Sequence, residues 1–144
     1  MSEAGPCLRV GVPKGSLQET TQKLFAQAGY ALRISGRSYY PSIDDAEIQC
    51  ILIRPEEMGR YVAQGILDCA ITGLDWILEN DAQVEELADL RAPWPNYGVV
   101  RWVMASKEGS RFHAVADLEG GRIATEAVGM TRRFLASHGV GATV

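Results

Sequence analysis

Residues 48–77 constrain the fold of this 144-residue chain most strongly, because they predict a strand, a helix and a second strand in succession. They read IQCILIRPEEMGRYVAQGILDCAITGLDWI. The apolar run Ile48–Ile53 predicts the first strand, and Pro55 fits the first position of the helix, where its missing N–H costs nothing. Gly65 is placed to end that helix, and Leu67–Ile71 predicts the second strand. This order of elements is typical of an α/β fold with mainly parallel strands.

Polar residues follow both of these strands. Arg54 comes directly after the first strand, and Gly73 and Asp75 follow the second. Ligands of open α/β sheets bind at the carboxyl ends of the strands, and we expect these two strand ends to be adjacent. The planar guanidinium of Arg54 suits phosphate oxygens. The Asp75 carboxylate suits either a ribose hydroxyl or the N-terminus of a short helix around Trp76.

A second candidate site lies near the start of the chain. Leu8–Val12 predicts a strand, and Lys14, Gly15 and Ser16 lie between it and a predicted helix. Ser16 and Glu19 have the spacing of a capping box. Backbone N–H groups at a helix N-terminus, a lysine and a hydroxyl can bind an anion together. The same residues also fit a plain capped helix with a solvated lysine, and the GxxxxGK[ST] spacing of a P-loop is absent.

The rest of the chain alternates short strands and helices around one break. Residues 93–98 contain two prolines and a glycine, which predict a crossover between two lobes. We therefore expect a first lobe over residues 1–92 and a second over residues 99–144. The other predicted elements are two short strands around Gly36 within residues 31–43, a helix at Trp76–Glu79, strands at Val84–Leu87, Val99–Ala105 and Arg122–Thr125, a turn at residues 117–121, a helix at Met130–His138, and the start of a strand at Gly141–Val144.

Composition and charge exclude several classes of protein. The net charge of −4 argues against a nucleic-acid or anionic-membrane surface. No apolar run approaches the length of a membrane span, and the N-terminus lacks the pattern of a secretion signal, so we expect a cytoplasmic protein. Cys7, Cys50 and Cys69 are odd in number, and the last two lie in strand-like runs, which indicates reduced, buried thiols. No cysteine or histidine cluster predicts a protein metal site.

The chain resembles the ATP phosphoribosyltransferase family, which catalyses the first step of histidine biosynthesis. Three segments carry the resemblance: LRVGVPKGSL near the start, ILIRPEEMGRYVAQGILDCAITGLDW in the middle, and DLEGGRIATE with the following TRRFL helix. Their order and spacing agree with the family over residues 8–139, and the middle segment is the most specific.

The resemblance implies a two-lobed α/β fold like that of type II periplasmic binding proteins, with substrates in the cleft between the lobes. The implied reaction joins N1 of the ATP adenine to the anomeric carbon of phosphoribosyl pyrophosphate and releases pyrophosphate, with Mg²⁺ on the substrate phosphates. It also implies a homo-oligomer or a complex with a regulatory subunit.

The resemblance also assigns roles to residues. Arg37 and Arg54 would be catalytic residues that face substrate phosphates, and with Lys14 we expect them to line one electropositive cleft. Arg132, beside Arg133 at the start of a helix, could bind phosphate or face water. Taken with the residue patterns above, the predicted substrate-binding residues are Lys14, Gly15, Ser16, Gly73, Asp75, Thr125 and Arg132.

The chain departs from the family pattern in two places. Ser16 stands where the family usually has an arginine, after the Lys-Gly of the first turn. The family's phosphoribosyl pyrophosphate loop has no equivalent in residues 1–144, so we expect an N-terminal portion of the enzyme with an incomplete second lobe. The alternative function is a non-enzymatic module that binds a small molecule with the same two-lobed architecture.

Overall fold

The computed structural model describes residues 7–90 and 100–144. The chain divides into two compact units, residues 1–97 and residues 98–144. The predicted crossover at residues 93–98 lies outside the described residues.

A sheet of three parallel strands forms the first unit. β1 (Leu8–Pro13) lies in the centre and pairs with β2 (Ile48–Ile53) on one side and β3 (Cys69–Ala70) on the other. The predictions of β1 and β2 are confirmed, whereas β3 is shorter than the predicted strand Leu67–Ile71. The expectation that β2 and β3 have adjacent ends is wrong. The crossover between them spans two strand spacings, about 10 Å, and leaves room for β1 in between.

Three helices accompany this sheet: α1 (Gln18–Gln27), α2 (Pro55–Ala63) and α3 (Leu74–Glu79). Pro55 is the first residue of α2, as predicted. Gly65 follows the end of α2 with a φ of +70°, a conformation that glycine adopts without steric cost. α3 begins two residues before the predicted Trp76.

The two faces of the sheet pack differently, because successive strand residues point to opposite faces. On one face, Val10, Val12, Cys50 and Leu52 form a buried core against which Phe25 of α1 packs. Burial raises the pKa of the Cys50 thiol to about 11, which keeps it protonated at neutral pH. The prediction of a buried, reduced thiol is confirmed for this residue.

On the other face, α2 packs so closely on β1 that only glycine fits at position 11. A Cβ on Gly11 would lie 2.6 Å from Met58 Sδ, 2.8 Å from Leu67 Cδ1 and 2.9 Å from Ala70 Cβ. Met58 and Leu67 are themselves buried. The absence of a side chain at Gly11 therefore sets the distance between α2 and the sheet.

An ion pair joins β1 to the start of β3 at the amino end of the sheet. Arg9 Nε donates to Asp68 Oδ2 at 3.0 Å and Arg9 Nη2 donates to Oδ1 at 2.7 Å. The backbone N–H of Arg9 also donates to Asp68 Oδ2 at 2.8 Å. These hydrogen bonds from Arg9 hold the pKa of Asp68 at about 2. The pair fixes the register of the two strands at the end away from Lys14 and Arg54.

Two predicted strand regions of the first unit are reduced or absent. The two strands expected within residues 31–43 amount to one antiparallel bridge, Arg33 with Ser42. The strand predicted at Val84–Leu87 is wrong, because these residues are irregular and Val84 N–H donates to Ala82 O in a local turn. A strand needs a neighbour to pair its backbone groups, and no described residue forms a ladder with residues 84–87.

The second unit contains a 3₁₀ helix at Val115–Leu118 and the helix α4 (Val128–Ser137). The predicted helix at residues 130–138 is thus confirmed with a shift of one to two residues. The strands expected at residues 122–125 and 141–144 are reduced to one parallel bridge, Arg122 with Thr143.

The predicted strand Val99–Ala105 is wrong over residues 100–105, and Val99 lies outside the described residues. Residues 100–105 are irregular, and Val100 and Val103 are 66% and 67% exposed. No described residue forms a strand ladder with this segment, so its apolar side chains have no sheet to pack into. Among the described residues, every helix is too short or too polar to cross a bilayer.

Candidate functional site

The carboxyl edge of the sheet brings together residues that are 40 positions apart in the sequence. Lys14 directly follows β1 and Arg54 directly follows β2. The backbone N–H of Lys14 donates to Ile53 O at 2.8 Å, so the segments that follow β1 and β2 leave the sheet side by side. The parallel pairing of β1 and β2 therefore places both cationic residues at the same edge.

Lys14 and Arg54 line one cleft of about 460 Å³. Glu57 contributes a carboxylate to the same lining, and it also contacts Arg60 at 3.8 Å and Tyr61 Oη at 3.5 Å. The lining carries two cationic side chains and one carboxylate, in a chain whose net charge is −4. The other lining residues are Tyr39, Tyr40, Ile51, Leu52, Ile53, Tyr61 and Ile66. Such a cleft can receive an anionic group beside an aromatic surface.

Tyr39 was not predicted as a site residue, although it forms part of the cleft wall. Its carbonyl accepts a hydrogen bond from Leu52 N–H at 2.7 Å, which holds its segment against the edge of β2. The Lys14 ammonium lies 5.1 Å from the centroid of the Tyr39 ring. A sequence signal existed: two consecutive tyrosines, Tyr39 and Tyr40, follow the Gly36 turn and precede a buried strand.

Arg54 combines a fixed backbone with an accessible side chain. It is the N-cap of α2, with extended φ and ψ of −70° and 138°, and its carbonyl accepts a hydrogen bond from Glu57 N–H at 3.0 Å. Its side chain is 73% exposed, and the guanidinium lies 3.7 Å from a carboxylate oxygen of Glu56. An exposed pair at this distance is weak, so a phosphate could replace Glu56 at little cost.

Arg37 lies apart from the lining of this cleft. It is exposed in the turn closed by the Ser38 N–H hydrogen bond to Ser35 O, at 3.3 Å. It is not among the residues that line the cleft with Lys14 and Arg54. The structure thus brings two of the three expected cations into one cleft, and the role of Arg37 stays a prediction.

The turn before α1 differs from the predicted capping box. Leu17 is the N-cap of α1, with helical φ and ψ of −87° and −8°, and no side chain caps the helix. Ser16 therefore lies one residue too early to bond the first turn, and the capping box with Glu19 is wrong. Gly15 has a φ of +95°, which turns the chain from β1 into the helix and places an exposed Ser16 beside Lys14.

Gly73 and Asp75 form the turn that starts α3. Gly73 is the N-cap, and a Cβ at this position would collide with the Asp75 carboxylate. Asp75 Oδ1 accepts a hydrogen bond from Trp76 N–H at 3.1 Å, and the acidic residue in the first turn complements the helix dipole. Since Gly73 is the N-cap and no side chain caps the helix, Asp75 does not act as the predicted cap but bonds within the first turn, while its role toward a ribose stays a prediction.

Thr125 and Arg132 belong to the second unit. Thr125 Oγ1 accepts a hydrogen bond from Ala127 N–H at 3.0 Å, just before α4, and Thr125 lines a groove of about 660 Å³ within that unit. Arg132 is exposed and Nη2 donates to Val144 O at 3.3 Å. Within the second unit, Arg132 is exposed and Thr125 is partly exposed, so a ligand could reach both side chains. The described residues contain no group of three or more histidine, cysteine or acidic side chains that could hold a metal ion.

Comparison with known proteins identifies the family. The family model of ATP phosphoribosyltransferase (HisG) matches residues 54–144 and so begins at the cleft residue Arg54. The chain belongs to the ATP phosphoribosyltransferase family. The ATP phosphoribosyltransferase of Chlorobaculum parvum is 51% identical over all of this chain, and that of Solibacter usitatus is 53% identical over 95% of it.

The chain spans about half the length of the curated ATP phosphoribosyltransferases it matches, 49% of the first and 47% of the second. Its fold is similar to that of a solved structure, the ATP phosphoribosyl transferase (HisG:HisZ) complex from Thermotoga maritima. The TM-score is 0.65 at 19% identity, covering 94% of this chain and 62% of that one. This similarity in structure shows that the chain has the α/β fold with a parallel sheet.

Proposed function

We propose that this chain is the N-terminal portion of an ATP phosphoribosyltransferase. The reaction joins N1 of the ATP adenine to the anomeric carbon of phosphoribosyl pyrophosphate and yields N1-(5-phosphoribosyl)-ATP and pyrophosphate, the first step of histidine biosynthesis. Membership of the family supports this function. The observation that carries it is the cleft that Lys14 and Arg54 share at the carboxyl edge of the sheet.

The chemistry of the reaction suits these two cations. As the bond to pyrophosphate breaks, negative charge accumulates on the leaving phosphate oxygens, and fixed cations stabilise that charge without reorganisation. The Arg54 guanidinium can bind two phosphate oxygens at once, while the Lys14 ammonium acts as a point charge beside it. We assign Arg37 to the same phosphates, which requires it to approach the cleft when substrate binds.

The remaining residues are assigned to substrate binding. Gly15 and Ser16 present the N-terminal turn of α1 to an anion. Gly73 leaves space for the Asp75 carboxylate, which would accept a hydrogen bond from a ribose hydroxyl. Thr125 and Arg132 of the second unit would contact substrate in a two-lobed, type II periplasmic-binding-protein-like enzyme, with lobes over residues 1–92 and 99–144.

We expect Mg²⁺ to bind the substrate phosphates and to neutralise part of their charge. The described residues build no cluster of three acidic, histidine or cysteine side chains. Mg²⁺ commonly takes its oxygen ligands from substrate phosphates and water rather than from a protein cage. We place the enzyme in the cytoplasm, in keeping with the free cysteines 7, 50 and 69, and as a homo-oligomer or a complex with a regulatory subunit.

A chimera tests the proposed function. Residues 1–144 would replace the matching half of the Chlorobaculum parvum enzyme, which is 51% identical over this region. We expect pyrophosphate release that requires both ATP and phosphoribosyl pyrophosphate, with the phosphoribosyl-ATP product identified by its mass. A chimera that unfolds cooperatively but forms no product would contradict the proposal.

Binding to the 144-residue chain separates the enzyme from the alternative of a non-enzymatic binding module. Calorimetric titrations would compare ATP with free amino acids. We expect binding of ATP that is weakened by Arg54→Ala, since the cleft is built for an anion. Binding of an amino acid without ATP binding would favour the alternative.

A further inference from the structure

The N-terminal turn of α2 is held by two side chains from the segment that follows β3. Thr72 Oγ1 donates to Pro55 O at 2.8 Å. Asn80 Nδ2 donates to Glu56 O at 2.7 Å. Pro55 and Glu56 are the two residues directly after Arg54, so both carbonyls next to the cleft arginine are fixed from outside the helix.

These hydrogen bonds are not needed to complete α2. The groups that lack partners in the first turn of a helix are the N–H groups, whereas the carbonyls already accept bonds from residues four positions later. The bonds from Thr72 and Asn80 are therefore additional to the helix. Their effect is to tie the start of α2 to the 72–80 segment.

The two tied segments leave the sheet on opposite sides of its central strand. β2 leads into Arg54 and β3 leads into Thr72, while β1 and its Lys14 lie between them. No ladder hydrogen bond joins β2 to β3 in this order. The Thr72 bond to Pro55 thus links two outer strands that the sheet itself does not connect.

The side chain of Arg54 has little support of its own. Its described ion pair with Glu56 is 3.7 Å long, and its side chain is largely exposed. Its direction therefore depends on the backbone from which it leaves, and that backbone is the turn that Thr72 and Asn80 hold. An arginine that binds two phosphate oxygens binds them more tightly when its backbone is held in place, because less conformational freedom is lost on binding.

We propose that Thr72 is a positioning residue for Arg54, and that its hydroxyl acts on the bound anion through Pro55. Asn80 supports the same turn through Glu56. This inference rests on the proposed function, in which Arg54 binds phosphate. It adds a residue that touches no substrate in the proposal but sets how well the cleft arginine binds it.

The test uses inorganic pyrophosphate as the probe and the 144-residue chain. Nuclear magnetic resonance titration would follow the backbone amides of Lys14 and Arg54. Thr72→Val removes the hydroxyl at nearly constant shape, and we expect pyrophosphate to bind about fivefold more weakly, as for the loss of one hydrogen bond. Thr72→Ser keeps the hydroxyl and should bind like the original chain.

A double-mutant cycle separates positioning from plain stabilisation. In an Arg54→Ala background, Thr72→Val should cause almost no further loss of pyrophosphate affinity, although its effect on the melting temperature should be the same in both backgrounds. Equal losses in both backgrounds, or unchanged affinity for Thr72→Val beside a weakened Arg54→Ala chain, would overturn the inference and leave the proposed function standing. An Arg54→Ala chain that binds pyrophosphate like the original would overturn both.

Discussion

The Lys14 ammonium lies over the ring of Tyr39, 5.1 Å from its centroid, at the mouth of the cleft that both residues share with Arg54. A cation at this distance from a tyrosine face is attracted by the electrons of the ring. The backbone of Tyr39 is held to β2 through its carbonyl, so the ring extends from a fixed point of the chain. The aromatic residue thereby limits where the positive charge of Lys14 can be.

We expect Tyr39→Ala to weaken pyrophosphate binding by about two- to fivefold, the equivalent of an exposed cation–π contact of roughly 0.5–1 kcal/mol. Tyr39→Phe keeps the ring face and is the matched control, which should bind like the original chain. Titration of the Lys14 amide by nuclear magnetic resonance measures both. Equal losses in the two variants would instead assign the effect to the tyrosine hydroxyl.

Close packing at Gly11 gives a prediction about stability. Gly11→Ala should lower the free energy of unfolding by about 1–3 kcal/mol, because the new methyl group meets Met58, Leu67 and Ala70 within van der Waals distance. Gly36→Ala is the matched control, since no heavy atom lies within 4 Å of the added Cβ there. Urea denaturation should leave the Gly36→Ala midpoint nearly unchanged. A Gly11→Ala midpoint that changes as little as that of Gly36→Ala would mean that α2 moves away from the sheet without cost.

The ion pair between Arg9 and Asp68 predicts an acid-dependent stability. Hydrogen bonds from Arg9 lower the pKa of Asp68 from its ordinary 3.8 to about 2, so the folded chain binds fewer protons than the unfolded chain between these values. The contribution of the pair is fully present above about pH 4 and is lost as the pH falls through about 2. Urea denaturation from pH 7 to pH 2.5 should show a steeper loss of stability for the original chain than for Asp68→Asn. Parallel curves would contradict the pKa shift.

The sequence predicts the parts of the fold whose signals are local. β2 matches its prediction at both ends, and α2 begins at Pro55, because a buried run, a proline and a glycine each act within a few residues. The prediction of a capping box at Ser16 is wrong because the turn at Gly15 decides whether Ser16 or Leu17 becomes the N-cap. The prediction of a strand at residues 100–105 is wrong because a strand requires a partner strand, and the apolar run alone does not show whether one exists.

The candidate site was predictable in part for the same reason. Lys14 and Arg54 follow strands, and parallel pairing brings strand ends together, so their shared cleft follows from the fold class. Tyr39 lies in the cleft wall because its carbonyl accepts a hydrogen bond from Leu52. Thr72, which follows β3, donates to Pro55, which follows β2. Both contacts depend on tertiary packing, which the Tyr39-Tyr40 pair in the sequence does not specify and for which Thr72 has no local pattern.

Arg54 and Asp75 should respond differently to conservative substitution in the chimera with the Chlorobaculum parvum enzyme. Arg54→Lys keeps the charge but loses the planar fork, so kcat and kcat/KM should fall together by roughly tenfold or more, as for an interaction that strengthens in the transition state. Asp75→Asn keeps the shape but loses the charge, and it should mainly raise KM for ATP. Steady-state kinetics with each substrate varied measures both variants. If Arg54→Lys leaves both constants within about twofold, less than the loss of a charged hydrogen bond, then Arg54 is a surface residue and its assignment is wrong.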